Sequence, residues 1–295
     1  MPQSAKATIS PVDLHMHSRY SDGSLDVPDL VRRAFGRGVR LMALTDHDNT
    51  AGLAAAASAT RECGMVFLPG VEVSCQWNGV GLHVVGLGID AGCPVLQEGL
   101  GKIMAFRDWR ATEIGRRLAE GGMPGAEEGA RSMAGSRMVG RMHFARWLVQ
   151  GEFCSDTAQA FELFLGSGRA AYVPSDWIPL PEAVSWIRAA GGLPVLAHPG
   201  RYRLSNPRLR ALLSEFRDME GAGLEVCSGS QGAGDREYLG RLARELSLAG
   251  SVGSDFHGPA YGHTDIGQLL PLPEGVEPVW ERACLNLGSL AAASH

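Results

Sequence analysis

LPEAVSWIRAAGGLPVLAHP, Leu180–Pro199, reads as a helix, a glycine break and a strand that ends on a histidine. Leu180, Ala183, Val184 and Ile187 recur at three- and four-residue spacing, which puts them on one helical face. Gly191 and Gly192 interrupt that pattern, and the short apolar run Leu193–Ala197 has the length of a buried strand. The same pairing recurs along the chain. PVDLHMH (11–17) precedes VPDLVRRAFGRG (27–38), and RLMALTD (40–46) precedes TAGLAAAASATREC (50–63). GLEVCS (223–228) precedes DREYLGRLARELSLAG (235–250), which runs into GSVGSDFHG (250–258). MVFLPGVEVS (65–74) and VGLHVVGLGI (80–89) flank Asn78-Gly79, a hairpin signal. Strands alternating with helices predict a mainly parallel α/β fold.

From about residue 96 to 171 the period is helical throughout, as in FRDWRATEIGRRLAE (106–120) and RMHFARWLVQG (141–151). We read this stretch as a helical insertion over one mouth of a barrel. GGMPGAEEGARSMAGS (121–136) reads as a loop between insertion helices, its acidic pair a solvated turn.

The chain has 295 residues, which suits one barrel with an insertion, spanning 10–295 behind a disordered leader, 1–9. A net charge of -5 excludes a long basic track for duplex nucleic acid, though not a small anion held by a few local cations. Cys63, Cys75, Cys93, Cys154, Cys227 and Cys284 form no C-x-x-C pair, which predicts free thiols in the cytoplasm. No stretch has the length of a membrane span or of a signal-peptide core.

Ligand-type residues recur where the apolar runs end: His15, His17, Asp22, His47, Glu72, His83, His143, His198, Asp255 and His257. In a parallel barrel the strand C-terminal ends converge on one face, so these residues can meet. Each has a plainer reading by itself. His83 fits a strand histidine, His143 an amphipathic helix, and Asp22 a turn with Gly23. Asp48 or Asn49 fits a helix N-cap. Seven of the nine histidines nonetheless fall in the set. Imidazole and carboxylate without thiolate suit Mn, Fe or Zn, and ten donors exceed one ion's needs. Two or three ions would clamp a phosphoryl group and acidify a bridging water.

The order DLHMHSRYSDG, ALTDHDNTAG, PGVEVS, LHVVG, AHPGRY, GSDFHG resembles the PHP (polymerase and histidinol phosphatase) family of metal-dependent phosphoesterases. The resemblance implies a distorted (β/α)7 barrel with a trinuclear site of divalent ions, Mn above Fe or Zn. It assigns one ion to His15, His17, Glu72 and Asp255, and a second to Asp22, His47, His198 and His257. A third would take Glu72, His83 and His143. Gln231 departs from the pattern, since many relatives have histidine there.

The branch it most resembles hydrolyses the 3'-phosphate of nucleoside 3',5'-bisphosphates by attack of a metal-bridging hydroxide. The related 5'-to-3' exoribonucleases, which trim RNA ends at the same kind of site, are the alternative. Histidinol phosphate phosphatase, a non-catalytic nucleotide sensor and a polymerase accessory domain are weaker readings. Arg107 and Arg110, three apart, would share a helix face able to clamp a second phosphate. Asp22, His143 and Arg141 are candidates for further substrate contacts, as are Arg19 and Arg201, which flank ligand motifs. Trp109 points away from the Arg107 face and is expected to pack in the core.

Overall fold

Seven strands follow one another around a nearly closed sheet, and the residues that end them carry most of the ligand-type side chains. They are β1 (Val12–Asp13), β2 (Leu41–Leu44), β3 (Val66–Trp77), β4 (Val80–Leu87), β6 (Leu193–Leu196), β7 (Gly223–Ser228) and β8 (Ala249–Gly253), in that order. A two-residue β5 (Ile178–Pro179) pairs with β3 off the ring. Leu14 N–H donates to Val252 O at 2.8 Å and Asp255 N–H to His15 O at 2.8 Å, which brings β8 back against β1. The computed structural model describes residues 9–135, 138–232, 234–259 and 264–282. Residues 1–8 of the expected leader and Cys284 lie outside them.

Period-two alternation builds two apolar layers. Leu41 and Ala43 join Val12, Leu14, Val85, Val195 and Ala249 in a cluster drawn almost wholly from the ring. Met42 and Leu44 turn the other way, against the surrounding helices. Those helices are α1 (Val27–Gly36), α2 (Leu53–Glu62), α7 (Leu180–Ala189), α8 (Asn206–Asp218) and α9 (Asp235–Leu246). α1, α7 and α8 carry proline in the first turn, where the missing N–H costs no helical bond. α10 (Val279–Arg282) packs Val279 into the ring cluster.

The barrel is mixed rather than uniformly parallel. β4 runs antiparallel to both β3 and β6, because Asn78 and Gly79, both at positive φ, return the chain directly with no crossover helix. This supports the expected hairpin.

The insertion is helical as read. It comprises α3 (Pro94–Glu120), α4 (Ala126–Ala134), α5 (Arg141–Gln150), α6 (Thr157–Ala160) and a π-turn at Phe161–Leu165. α3 starts against the barrel, where a Cβ on Gly99 would lie 2.4 Å from the Trp186 ring. Its second half shares a separate core with the other insertion helices, including Ile114, Leu118, Phe144, Leu148 and Leu165. The stretch 121–136 is not the loop expected from its glycines. Ala126 and Ala130 are buried on one face of α4, and Glu127 and Glu128 lie in its first turn, where the helix dipole favours acids.

Candidate metal centre

His15 and His17 follow β1, His47 follows β2, His198 follows β6, and Asp255 and His257 follow β8; Glu72 lies within β3 and His83 within β4. Because β4 is reversed, His83 in its first half sits at the same barrel end as the others' exits. Three of these exits pass through left-handed backbone: Asp48 (φ 49), His198 (φ 28) and Asp255 (φ 53). Such a conformation costs a non-glycine residue about 1–2 kcal/mol. Each is held by its own N–H, given to Glu72 O, Glu225 Oε2 and His15 O respectively.

Four donor atoms form a compact buried set: His15 Nε2, His17 Nε2, Glu72 Oε2 and Asp255 Oδ1. The two imidazole nitrogens are 3.1 Å apart and each is 3.2 Å from Glu72. Asp255 is 3.1 Å from His17 and 3.5 Å from His15. A tetrahedral ion with arms of 2.0–2.2 Å needs donor separations of about 3.4 Å, so the spacing fits a divalent cation. Glu72 uses its other oxygen elsewhere. Oε1 is 3.0 Å from both His83 Nδ1 and His198 Nε2, which are 3.3 Å from each other. A third set gathers His17, Asp22, His47 and His257, with Asp22 Oδ1 3.2 Å from His257 Nε2. The buried Asp22 Oδ1, His47 Nδ1 and Glu72 Oε2 face one another and the neighbouring imidazole nitrogens at 2.9–3.2 Å, with no other donor or acceptor group beside them among the described residues. Converging nitrogen and carboxylate donors of this kind are the chemistry that binds a divalent cation.

Nine of the ten predicted donors therefore meet, but the grouping differs from the expected one. His198 stands with Glu72 and His83, since β4 and β6 are antiparallel neighbours and Ala197 N–H donates to His83 O at 3.1 Å. His143 enters none of these sets. Its Nδ1 accepts the Gly140 N–H at 3.0 Å at the start of α5, a backbone duty that occupies one ring nitrogen.

Burial dominates the electrostatics and is overcome where charges cluster. It would lower His15 and His17, yet Glu72, Glu225 and Asp255 hold His15 well above the imidazole range. Hydrogen bonds to Asp255 and Glu72 bring His17 up to about 10. Burial would raise Asp22, Glu72 and Asp255, but the facing imidazoles hold all three well below the carboxylate range. His47 is lowered, chiefly by burial. The cluster is thus a buried set of anionic carboxylates that demands positive charge.

Sequence reasoning missed Glu225. Its Oε1 lies 2.5 Å from His15 Nδ1 and its Oε2 accepts the His198 N–H at 2.6 Å, so one buried carboxylate orients two members of the cluster. The available signal was a lone acid inside the apolar strand GLEVCS. Asp46 was also missed. It gathers the Ser18 N–H, Ser18 Oγ and Ser21 Oγ at 2.6–2.8 Å, shaping the loop before Asp22. In that loop Gly23 is required, since a Cβ there would lie 2.3 Å from His17 O.

A cavity of about 230 Å³ opens beside the cluster, lined by Asp22, His47 and His83 and by Arg107, Arg110 and Arg141 from the insertion. A second, of about 510 Å³, lies beyond His143 and is lined by Arg19, Ser24 and Arg146. Arg107 is bound to Asp48 through Nε and Nη2 at 2.8 and 2.5 Å and to Ser74 Oγ at 2.8 Å. Asp48 is therefore no helix cap; α2 is preceded by Gly52 without a side-chain cap. Arg110 is buried, donates to Val173 O at 3.1–3.2 Å and is pushed down to about 10 by burial, then by Arg141 and Arg107.

Arg201 reaches the cluster at 2.5 Å from Asp255 Oδ2, whereas Arg19 pairs with Asp26 at the surface. Gln231 lines a separate cavity with Cys227 and Arg236. Trp109 is 56% exposed rather than in the core, because what packs on α3 covers its other faces. No described helix is long and apolar enough to cross a membrane.

Residues 13–104 match the PHP domain. The chain is 43% identical over 270 residues to a 5'-3' exoribonuclease of Haemophilus influenzae, covering 92% of this chain and 98% of that one. It is 42% identical over 270 residues to a 3',5'-nucleoside bisphosphate phosphatase of Chromobacterium violaceum, covering 91% and 95%. A solved structure from Bifidobacterium adolescentis, assigned as a metal-dependent phosphoesterase, superposes with a TM-score of 0.79 at 26% identity, over 92% of this chain and 94% of that one.

Proposed function

The chain belongs to the PHP family of metal-dependent phosphoesterases, hydrolases of phosphoric esters, and on that premise we propose that it removes the 3'-phosphate from nucleoside 3',5'-bisphosphates. The observation that carries this reading is the charge of the cavity. Arg107, Arg110 and Arg141 share walls with Asp22, His47 and His83, and burial together with mutual repulsion lowers Arg110. A second phosphate relieves that repulsion while the first lies at the donor cluster.

We assign His15, His17, Glu72 and Asp255 to one divalent ion, Glu72, His83 and His198 to a second, and Asp22, His47 and His257 to a third, with Mn the preferred metal. Bound there, such ions neutralise phosphoryl charge and lower the pKa of water. The chain's own groups do the rest. Arg110 and Arg141 hold the remote phosphate, and Arg107, anchored by Asp48, keeps its guanidinium over the Trp177 ring at 4.6 Å. His143 accepts the Gly140 N–H at Nδ1, so its proton sits on Nε2 as a donor toward the cavity. Water adds to phosphorus and the bond to the 3'-oxygen breaks, giving a nucleoside 5'-phosphate and inorganic phosphate.

The same broken bond serves a second reading, 5'-to-3' trimming of RNA. There the 3'-phosphate carries the next nucleotide and leaves on the shortened strand. Its specific support is the aromatic rim of the cavity, where Trp177 meets Phe106 at 5.4 Å. Mn-loaded protein offered adenosine 3',5'-bisphosphate and, separately, a 5'-phosphorylated RNA tests both. AMP with phosphate from the first, and an unchanged second, supports the phosphatase. Mononucleotides from the second, with the first intact, would overturn it in favour of trimming.

A further inference from the structure

We propose that Trp109, propped by Phe106 and Trp177, is a stacking platform for a base of a single-stranded oligoribonucleotide whose phosphate lies at the donor cluster. The inference rests on the phosphoesterase reading and extends its substrate beyond the mononucleotide cavity.

Trp109 is the most exposed of the large apolar side chains among the described residues, at 56%. Its neighbour one turn back, Phe106, lies 5.6 Å away at an interplanar angle of 33°. Phe106 in turn meets Trp177 edge-on, at 5.4 Å and 75°. Trp177 lines the cation-walled cavity, with Arg107 at 4.6 Å and Arg110 at 5.7 Å from its ring. The three rings therefore form one packed path from the cavity to solvent, reaching about 11 Å at most. Phe106 lies against the indole, and over half of the Trp109 surface stays open to solvent.

Every base has a π-face, so such a platform is sequence-tolerant, and arginines beside it follow the backbone. The nearest acid on the helix, Asp108, is paired with Arg131 at 2.6 Å, a cation it shares with Glu127. The continuity with the arginine-walled cavity is what favours a nucleic acid over a protein partner at this surface. A second copy of the chain would need an apolar face, whereas this path leads into a polar cleft.

The test combines binding without turnover and kinetics with it. A 3'-fluorescein-labelled, 5'-phosphorylated pentaadenylate with hydrolysis-resistant phosphorothioate linkages is titrated with Mn-loaded wild type, Trp109→Ala and Trp109→Phe, read by anisotropy. Mn-loaded proteins are then assayed on adenosine 3',5'-bisphosphate. Removing one stacked base contact weakens affinity about fivefold or more. We expect that loss in Trp109→Ala, affinity within twofold of wild type in Trp109→Phe, and bisphosphate kcat/KM unchanged in both, since Trp109 lies outside the cavity walls.

Wild-type affinity in Trp109→Ala overturns the platform, and it does so whether or not the bisphosphate is hydrolysed. A wild-type dimer that Trp109→Ala makes monomeric, with pentaadenylate binding unchanged, identifies the surface as an interface between copies and also overturns it. If the bisphosphate is inert while pentaadenylate binding depends on Trp109, the phosphatase reading fails and the platform stands.

Discussion

Glu225→Gln is the substitution that probes how the cluster is held. The wild-type carboxylate receives two donors at once, His15 Nδ1–H at 2.5 Å and the His198 N–H at 2.6 Å, with both side chains about 1% exposed. Glutamine keeps the shape but one acceptor oxygen becomes an NH₂, which cannot accept from either partner. One buried donor is then left facing a donor, a loss of about 1–3 kcal/mol. At about 2 °C per kcal/mol for a chain of this size, the melting temperature in EDTA falls by about 2–6 °C. The second effect is on metal. His15 loses the carboxylate that fixes its tautomer and raises its basicity, and removing such a partner weakens metal affinity about 10- to 100-fold. Calorimetric titration with Mn, alongside melting curves, measures both. Mn affinity within twofold of wild type, at an unchanged fold, would refute the positioning role of Glu225.

The paired arginines separate by their partners. Arg107→Ala strands the buried Asp48, an uncompensated charge worth about 3–5 kcal/mol, so melting falls by roughly 6–10 °C. Arg110→Met keeps the stem and strands no carboxylate, but it leaves the buried Val173 O without its donor, about 1–3 kcal/mol, so melting falls by about 2–6 °C while KM for the bisphosphate rises about 10- to 150-fold. Thiol reactivity follows burial. Cys227 is pushed up to about 11 and Cys75 higher still, so at pH 8 about one Cys227 in a thousand is thiolate. Iodoacetamide followed by peptide mass mapping should label half-buried Cys63 and spare both until the protein is unfolded. Each Mn site filled at about 100 times its Kd adds about 2.7 kcal/mol to EDTA-stripped protein, a rise of roughly 5 °C per site, and His15→Ala should lose the share of the one ion it would hold.

Much of this is legible in the sequence. Apolar runs ending on His or Asp marked the barrel exits, and Asn78-Gly79 marked the hairpin, because both signals are local. Partition of the donors was not local. His198 belongs with His83 because β4 and β6 are antiparallel neighbours, and nothing in AHPG states which strand lies alongside. His143 is ligand-competent by type, yet its Nδ1 serves the Gly140 N–H at a helix start, a duty visible once α5 begins at Arg141. Arg107 and Arg110 share a face as the three-residue spacing requires, but Asp48 reaches Arg107 across 59 positions of sequence. Trp109 was misread for a related reason: which face of a helix is buried depends on what packs there. Glu225 was readable, since a carboxylate in a fully buried strand must answer to a partner.

The arrangement around Glu72 explains why the donors are so interdependent. One fully buried carboxylate gives Oε2 to His15, His17 and His47, within 2.9–3.2 Å, and Oε1 to His83 and His198, at 3.0 Å. Two donor sets thus meet at the two oxygens of a single side chain, and moving it disturbs both. The same crowding sets the electrostatics. Asp22, Glu72 and Asp255 stay ionised although burial opposes it, because imidazoles beside them supply positive charge. Protons on His15 and His17 and divalent cations compete for the same nitrogens, so filling the cluster with metal releases protons. The strained exits at His198 and Asp255 persist because each is fixed by a hydrogen bond from its own N–H. Rigid donors at cation spacing, already bearing the charge a cation would balance, are what a phosphoesterase needs to grip metal and phosphate together.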